Sequence, residues 1–191
     1  MDFRHVYELA SASWSAFRVE PVGKTDMDER GLFQGAWAPA EPIVWRHYMG
    51  GAAPKDLVPT GYVGPILVSD RVVNVLREHQ FTGWNTYPVT LLGKKKEVIP
   101  RYHGLTVTGR CGQPDDRLSP VEWREPLVPN GPRIQVRVGL YFDPATWTGE
   151  DIFSPPGSGW CFVTERVKAA VEKTELTNLR FTRLTAYEST L

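Results

Sequence analysis

The chain has 191 residues, and its 22 basic and 22 acidic residues give a formal net charge of zero. A protein that binds nucleic acid through its phosphates generally needs an excess of basic residues, so the composition argues against this class. The hydrophobic fraction of 41% is typical of a globular protein. The length suits one large domain or two small fused lobes.

The sequence also predicts where the protein resides. The N-terminus lacks the basic start and the long apolar run of a secretory signal. No stretch approaches the roughly 18 consecutive apolar residues that a membrane-spanning helix needs. Cys111 and Cys161 are far apart and form no CxxC pair. We therefore predict a cytoplasmic protein without disulfide bonds.

Prolines and glycines interrupt the first third of the chain. Residues 21–60 contain ten of them, which favours irregular structure, with short elements near residues 32–33 and 43–48. Trp37 and Trp45 supply apolar surface that a disordered segment lacks. We predict that residues 1–60 form an irregular N-terminal segment packed on a body that spans residues 61–191, in one compact unit.

A strand–helix–strand pattern begins after this segment. Residues 66–68 predict a buried strand, Ser69 a helix N-cap, and Asp70 a favourable negative charge in the first helical turn. Apolar residues then follow the spacing of one helix face. Gly83 can adopt the left-handed conformation that follows many helices, and residues 84–92 predict a second strand.

The same pattern recurs 95 residues further along the chain. Residues 161–163 predict the strand, Thr164 the cap and Glu165 the acid of the first turn. Asn178 stands where the first copy has its glycine, and asparagine also tolerates the left-handed region. Residues 179–187 predict the closing strand.

Two further strands are predicted between the copies. Residues 102–109 and 134–142 carry apolar side chains at alternate positions, as in antiparallel strands with one solvated face. We therefore predict an α+β fold with mixed or antiparallel sheets. In this fold, two repeated strand–helix–strand modules, near residues 66–92 and 161–187, pack around one core.

Motifs for catalysis or metal binding are scarce. Cys111 could act as a nucleophile with His103 as its base, but no third group that would orient the histidine is identifiable. A structural cysteine in a turn is the alternative interpretation. A zinc site formed by Cys111, His103 and Cys161 would lack the paired spacing of structural zinc ligands. We predict no catalytic residue, metal or cofactor.

The polar connection of residues 110–133 contains a candidate binding surface. Four acidic residues surround Trp123: Asp115, Asp116, Glu122 and Glu125. Aromatic side chains anchor interfaces and complementary charge speeds association, so the pattern predicts contact with a basic partner. A solvated polar loop is the alternative. The basic run of residues 94–96 is interpreted as a solvated hairpin loop rather than a nucleic-acid contact.

Two segments carry a family resemblance. One runs from Ile66-Leu67-Val68-Ser69-Asp70-Arg71-Val72 to Phe81-Thr82-Gly83-Trp84. The other joins Asp151-Ile152-Phe153 to Phe162-Val163-Thr164-Glu165-Arg166-Val167 and ends at Asn178-Leu179-Arg180-Phe181. Over residues 60–187 the chain resembles a family of immunity proteins for polymorphic toxins, in which glycine stands at the position of Asn178.

The resemblance implies a non-enzymatic bacterial protein that binds a cognate toxin domain and blocks it stoichiometrically. From charge and hydropathy we predict no membrane or nucleic-acid partner. The residues predicted to contact the toxin are the acidic and aromatic ones of the long connection: Asp115, Asp116, Glu122, Trp123 and Glu125. Specificity is expected in the segments that are not duplicated, which are residues 21–60, 110–133 and 144–159.

Two other functions stay open. One is a cysteine-dependent hydrolase that uses Cys111 and His103. The other is a ligand-binding regulatory module whose aromatic pocket is lined by Trp37, Trp45 and Trp84.

Overall fold

The computed structural model describes residues 1–13, 15–23, 27–126, 128 and 131–190. Residues 24–26, 127, 129 and 130, which belong to the predicted binding loops, lie outside the described residues. The α-helices are α1 (Glu29–Gln34), α2 (Asp70–Glu78) and α3 (Glu165–Glu172). The strands, in chain order, are β1 (Val6–Ser11), β2 (Arg18–Pro21), β3 (Ile43–Met49), β4 (Leu57–Pro59), β5 (Ile66–Ser69), β6 (Trp84–Leu92), β7 (Val98–Ile99), β8 (Tyr102–Val107), β9 (Gly109–Arg110), β10 (Val121–Arg124), β11 (Ile134–Val138), β12 (Ile152–Ser154), β13 (Phe162–Thr164), β14 (Leu179–Arg183) and β15 (Glu188–Thr190).

The strands form three sheets. A five-stranded sheet has the order β14-β1-β13-β12-β9, and a three-stranded sheet has the order β10-β11-β15. A seven-stranded sheet has the order β2-β3-β6-β8-β5-β4, with β7 paired to β6. The β9–β12 and β3–β6 pairs are parallel and the others are antiparallel, which confirms the prediction of mixed sheets. The fold is predominantly β, so the predicted α+β class is only partly confirmed.

Several predicted elements have different bounds in the structure. Strand β6 matches residues 84–92, and α1 and β3 fall where short elements were predicted. Strand β11 ends at Val138 rather than Phe142 because Gly139 adopts a left-handed φ of 82°, which breaks the extended chain. Strand β12 lies in the connection of residues 144–159, which the sequence analysis treated as a loop.

Ser69 and Thr164 occupy the predicted N-cap positions of α2 and α3, but their hydroxyls do not cap the helices. Each hydroxyl instead bonds to an aspartate that precedes the neighbouring strand. Ser69 Oγ donates to Asp56 at 2.7 Å, and Thr164 Oγ1 donates to Asp151 at 3.2 Å. A hydrogen bond to a charged carboxylate is stronger than one between neutral groups. The two hydroxyls therefore bond to the aspartates and do not cap the helices.

Asp56 is 5% exposed and joins distant parts of the chain. Besides Ser69, it accepts hydrogen bonds from Arg71 Nη1 at 2.9 Å and from the backbone N–H and hydroxyl of Thr177, each at 2.8 Å. Arg71 and Ser69 belong to the segment that starts α2, whereas Thr177 follows α3. This carboxylate therefore ties the start of one helix to the loop after the other.

Asp151 makes the reverse connection. It accepts from Arg166 Nη1 at 3.0 Å, at the start of α3, and from the backbone N–H and hydroxyl of Thr82 at 3.2 and 3.4 Å, after α2. Asp151, Thr164 and Arg166 lie 95 residues after Asp56, Ser69 and Arg71, whereas Thr82 lies 95 residues before its counterpart Thr177. The two clusters thus connect the two helical units reciprocally.

The strand pairs around these clusters also correspond. The order β6-β8-β5-β4 in one sheet parallels the order β14-β1-β13-β12 in the other. Ser69 of β5 pairs with Tyr102 of β8, and the equivalent Thr164 of β13 pairs with Val6 of β1. Further along β8 and β1, equivalent residues also pair with equivalent partners in the strands on both sides. The central strand of each sheet therefore comes from outside the strand–helix–strand unit that flanks it.

Buried apolar residues of the described part form three clusters rather than the single predicted core. The central cluster lies between α2, α3 and the inner faces of the two larger sheets. An outer cluster around Trp45 covers the seven-stranded sheet, and another around Phe142 and Phe162 covers part of the five-stranded sheet. The central cluster contains residues from both helical units.

Candidate functional site

The predicted acidic and aromatic residues lie along one strand and the turn before it. Asp115 accepts from the backbone N–H of Arg117 and so caps the 3₁₀ turn Asp116–Leu118. Glu122 and Trp123 lie in β10, and Glu125 follows it. Because β10 is an edge strand of the three-stranded sheet, the fold presents these residues on an outer border of the protein.

Each of the predicted acids has an arginine partner. The ion pairs are Asp115–Arg117 at 2.7 Å, Asp116–Arg137 at 3.6 Å, Glu122–Arg124 at 2.6 Å and Glu125–Arg133 at 3.2 Å. The hydrogen bonds from Arg117 lower the pKa of Asp115 to about 2. The surface therefore alternates in charge, and the acids alone do not make it strongly negative.

Apolar side chains are exposed on the same strand. Trp123 is 59% exposed and Val121 is 50% exposed, and their spacing places both on one face of β10. Across the sheet they pair with Gln135 and Arg137 of β11. We call these four residues the Trp123 face. Large exposed aromatic side chains beside arginine are typical of binding surfaces.

The backbone of β10 is also available at its outer edge. The N–H of Val138 donates to the carbonyl of Pro120 at 2.8 Å. Because every second residue of an antiparallel strand bonds to the partner strand, this hydrogen bond determines which residues of β10 bond to β11. Glu122 and Arg124 then direct their backbone groups toward β11, and Val121 and Trp123 direct theirs away from it. Such an edge can pair with a strand of another protein.

A cavity of about 130 Å³ adjoins the Trp123 face. Arg137 belongs to both, and Asp116, Tyr141, Trp160 and Tyr187 also line the cavity. Its volume is below that of typical small-molecule sites and suits a single inserted side chain. The sequence analysis missed Val121 and Arg137, although the alternation of β10 and β11 could have indicated them.

Cys111 and His103 do not form the nucleophile–base pair of the alternative hydrolase hypothesis. Cys111 is 2% exposed in the outer cluster of the five-stranded sheet, and burial raises the pKa of its thiol to about 12. His103 belongs to β8 of the seven-stranded sheet, where its Nε2 lies 2.6 Å from Asp70 Oδ1. A thiol with this pKa is protonated at neutral pH and is a poor nucleophile.

The structure does not bring together the residues of the alternative zinc site or of the alternative aromatic pocket. Cys161 lies in the central cluster, apart from Cys111, and no group of three potential metal ligands occurs within the described residues. Trp45 is buried in the outer cluster, Trp84 packs against the central one, and Trp37 lines a separate cavity of about 540 Å³. The three tryptophans therefore do not line one pocket.

None of the helices in the described ranges is long and apolar enough to cross a membrane.

The family comparison covers most of the chain. The family model of Imm11 immunity proteins matches residues 13–186. The chain therefore belongs to the Imm11 immunity protein family, which confirms the resemblance to immunity proteins and indicates a role in toxin immunity with a toxin protein as partner. No curated protein matches the sequence.

Proposed function

We propose that this protein is a cytoplasmic bacterial immunity protein that binds one cognate domain of a polymorphic toxin and blocks it by occlusion. The Imm11 match supports the toxin as partner. Occlusion requires a complementary surface and no catalytic group. The buried, protonated Cys111 thiol and the engagement of His103 with Asp70 support a mechanism without turnover.

The Trp123 face is the observation that carries this proposal. Trp123 offers a large, rigid side chain, and tryptophan and arginine are the residue types that most often dominate binding energy. The exposed edge of β10 adds backbone donors and acceptors. The adjoining cavity of about 130 Å³ can receive a side chain of the toxin.

The predicted acids take a modified role in the proposal. Asp115, Asp116, Glu122 and Glu125 border the Trp123 face, but their arginine partners offset their charge. We infer that they orient the arginines and satisfy polar groups at the rim of the interface. Exposed pairs of this kind contribute little to stability, so they are free to exchange partners when a toxin binds.

Growth of a bacterium that expresses the cognate toxin tests the proposal. We expect both the natural protein and Cys111→Ala to restore growth, because the thiol serves packing. Removal of the sulfur should lower the free energy of unfolding by only about 1 kcal/mol. If Cys111→Ala remains folded but fails to protect while the natural protein protects, the protein is a thiol enzyme and not an inhibitor. If neither protects or co-elutes with the toxin, the proposed function is wrong.

We also propose that the chain consists of two repeated modules that exchange their first strands. By sequence, β1 precedes the first strand–helix–strand unit and β8 precedes the second. By pairing, β1 completes the sheet of the second unit and β8 that of the first. The reciprocal Asp56 and Asp151 clusters support this reading.

The exchange also bears on domain organisation. We propose that residues 61–191 form the main body with residues 1–60 packed on it in one compact unit. The insertion of β1 between β13 and β14 supports this arrangement, because the N-terminal strand is then held by hydrogen bonds on both edges.

A further inference from the structure

A third cavity, of about 380 Å³, opens on the outer face of the five-stranded sheet. Glu8 and Ala10 alternate along β1 and so direct their side chains to this face, and Arg180 pairs with Ala10 from β14. The remaining lining residues are Ser11, Ser13, Arg18 and Tyr187. Most of the lining residues therefore lie on strands, which hold their side chains in fixed positions.

The matching face of the seven-stranded sheet is covered by the protein itself. Gly104 occupies the register position of Glu8, and a Cβ built on it would lie 1.9 Å from Cζ of Tyr87, so the tyrosine ring rests on that glycine. Thr106 occupies the position of Ala10, and its hydroxyl donates to the carbonyl of Leu32 in α1 at 3.2 Å. The outer face of the seven-stranded sheet is thus covered by Tyr87 and α1 at these positions.

The five-stranded sheet lacks this cover at the same register positions. Thr182 stands opposite Glu8, where the other sheet has Tyr87 opposite Gly104. Threonine is too small to span the space that the tyrosine ring fills. The cavity therefore lies at the position that the Tyr87 ring fills in the seven-stranded sheet.

The charges around the cavity favour an anionic occupant. Among the described residues that line the cavity, Arg18 and Arg180 are basic and Glu8 carries the one carboxyl. Burial raises the pKa of Glu8 above its usual value, although Arg180 acts in the opposite direction. The Arg180 guanidinium and the Tyr187 hydroxyl are hydrogen-bond donors, and carboxylates match guanidinium geometry.

The cavity also adjoins the surface already assigned to toxin binding. Tyr187 lines both this cavity and the smaller one beside the Trp123 face. We propose, resting on the proposed function, that the cavity formed by Glu8, Arg18 and Arg180 receives an acidic segment of the same toxin domain. The toxin would then contact the three-stranded sheet with an apolar region and this cavity with aspartate or glutamate side chains.

Binding of the purified toxin domain to Arg180→Glu tests this assignment. Arg180 is exposed, so its reversal should leave the fold intact and weaken binding about tenfold, mainly through slower association. The effect should shrink at high salt, because screening removes the charge contribution. Arg77→Glu, an equally exposed reversal on α2, is the matched control and should bind like the natural protein.

Glu8→Gln provides a second variant, since it removes the carboxyl that competes with the toxin's acid and should tighten binding about threefold. The inference is wrong if Arg180→Glu binds no more weakly than Arg77→Glu, or if Glu8→Gln weakens binding. These results leave the proposed function intact when the natural protein still binds the toxin. Absence of any binding by the natural protein would instead contradict the proposed function itself.

Discussion

A Trp123→Ala substitution is expected to weaken binding of the cognate toxin domain by about 2 kcal/mol, or about thirtyfold in Kd. The substitution removes the largest exposed apolar side chain of the Trp123 face. Because Trp123 is 59% exposed, the free energy of unfolding should change by no more than about 0.5 kcal/mol. Calorimetric titration of the toxin domain and urea unfolding of the variant give the two values.

Tyr48→Ala is the matched control for this experiment. Tyr48 is an aromatic residue of β3 and is 54% exposed, but it belongs to the seven-stranded sheet rather than to the Trp123 face. We expect its removal to leave the Kd unchanged. Equal binding by the Trp123→Ala variant and the natural protein would show that the toxin contacts another surface, and a loss confined to Tyr48→Ala would place that surface on β3.

The largest effect on stability is expected for Asp56→Ala. The substitution leaves Arg71, Ser69 and Thr177 without the carboxylate that accepts four hydrogen bonds of 2.7–2.9 Å. Because Asp56 is buried but the Arg71 side chain is 57% exposed, the loss of these hydrogen bonds should cost about 2–4 kcal/mol. Asp151→Ala should cost less, because the bonds to its carboxylate are longer, at 3.0–3.4 Å. Urea unfolding of both variants measures the difference, and a larger loss for Asp151→Ala would contradict this ranking.

The contribution of Asp56 should depend on pH in a defined direction. Burial acts to raise the pKa of Asp56, but the hydrogen bonds from Ser69 and Thr177 and the charge of Arg71 outweigh it and hold the pKa below the usual 3.8. The unfolded state therefore binds a proton more readily, and the stabilisation is complete above pH 3.8. It is lost as the pH falls through the lowered pKa of the folded state. The stability gap between the natural protein and Asp56→Ala should therefore narrow only in acid, and a gap that widens there would be inconsistent with this sign.

The elements β5-α2-β6 and β13-α3-β14 could be predicted from the sequence because their signals are local. Ser69 and Thr164, with the acid that follows each, sit beside the apolar residues of the same helix. Asp56 and Asp151 share the same spacing of 95 residues and could have been found in the same way. Their role could not, because each bonds to a threonine of the other unit.

The placement of β1 was not predictable from local pattern. Strands β1 and β8 pair with partners that are far away along the chain, and the hydrophobic alternation of a strand does not state which sheet it joins. The register match emerges only when both sheets are compared. The Tyr7 hydroxyl donates to Glu165 where His103 bonds to Asp70, and these chemically different pairs occupy equivalent positions.

The candidate surface was predicted in part. The sequence indicated Trp123 and its acidic neighbours, but it could not reveal that Arg137 lies beside Asp116, because that contact joins a turn to a strand that follows much later. For this reason the sequence predicts a negative surface, whereas the structure shows a surface of alternating charge. The two cavities that Tyr187 lines depend on contacts between segments that are distant along the chain, which are likewise a property of the assembled fold.

Titration of a fixed amount of the purified toxin domain with this protein tests stoichiometric neutralisation, with residual toxin activity and complex formation followed together. We expect toxin activity to fall linearly and to vanish at one equivalent, with a one-to-one complex at the end point. Full loss of toxin activity at a small fraction of an equivalent would indicate turnover rather than occlusion. Undiminished activity at several equivalents, with no complex, would contradict neutralisation altogether.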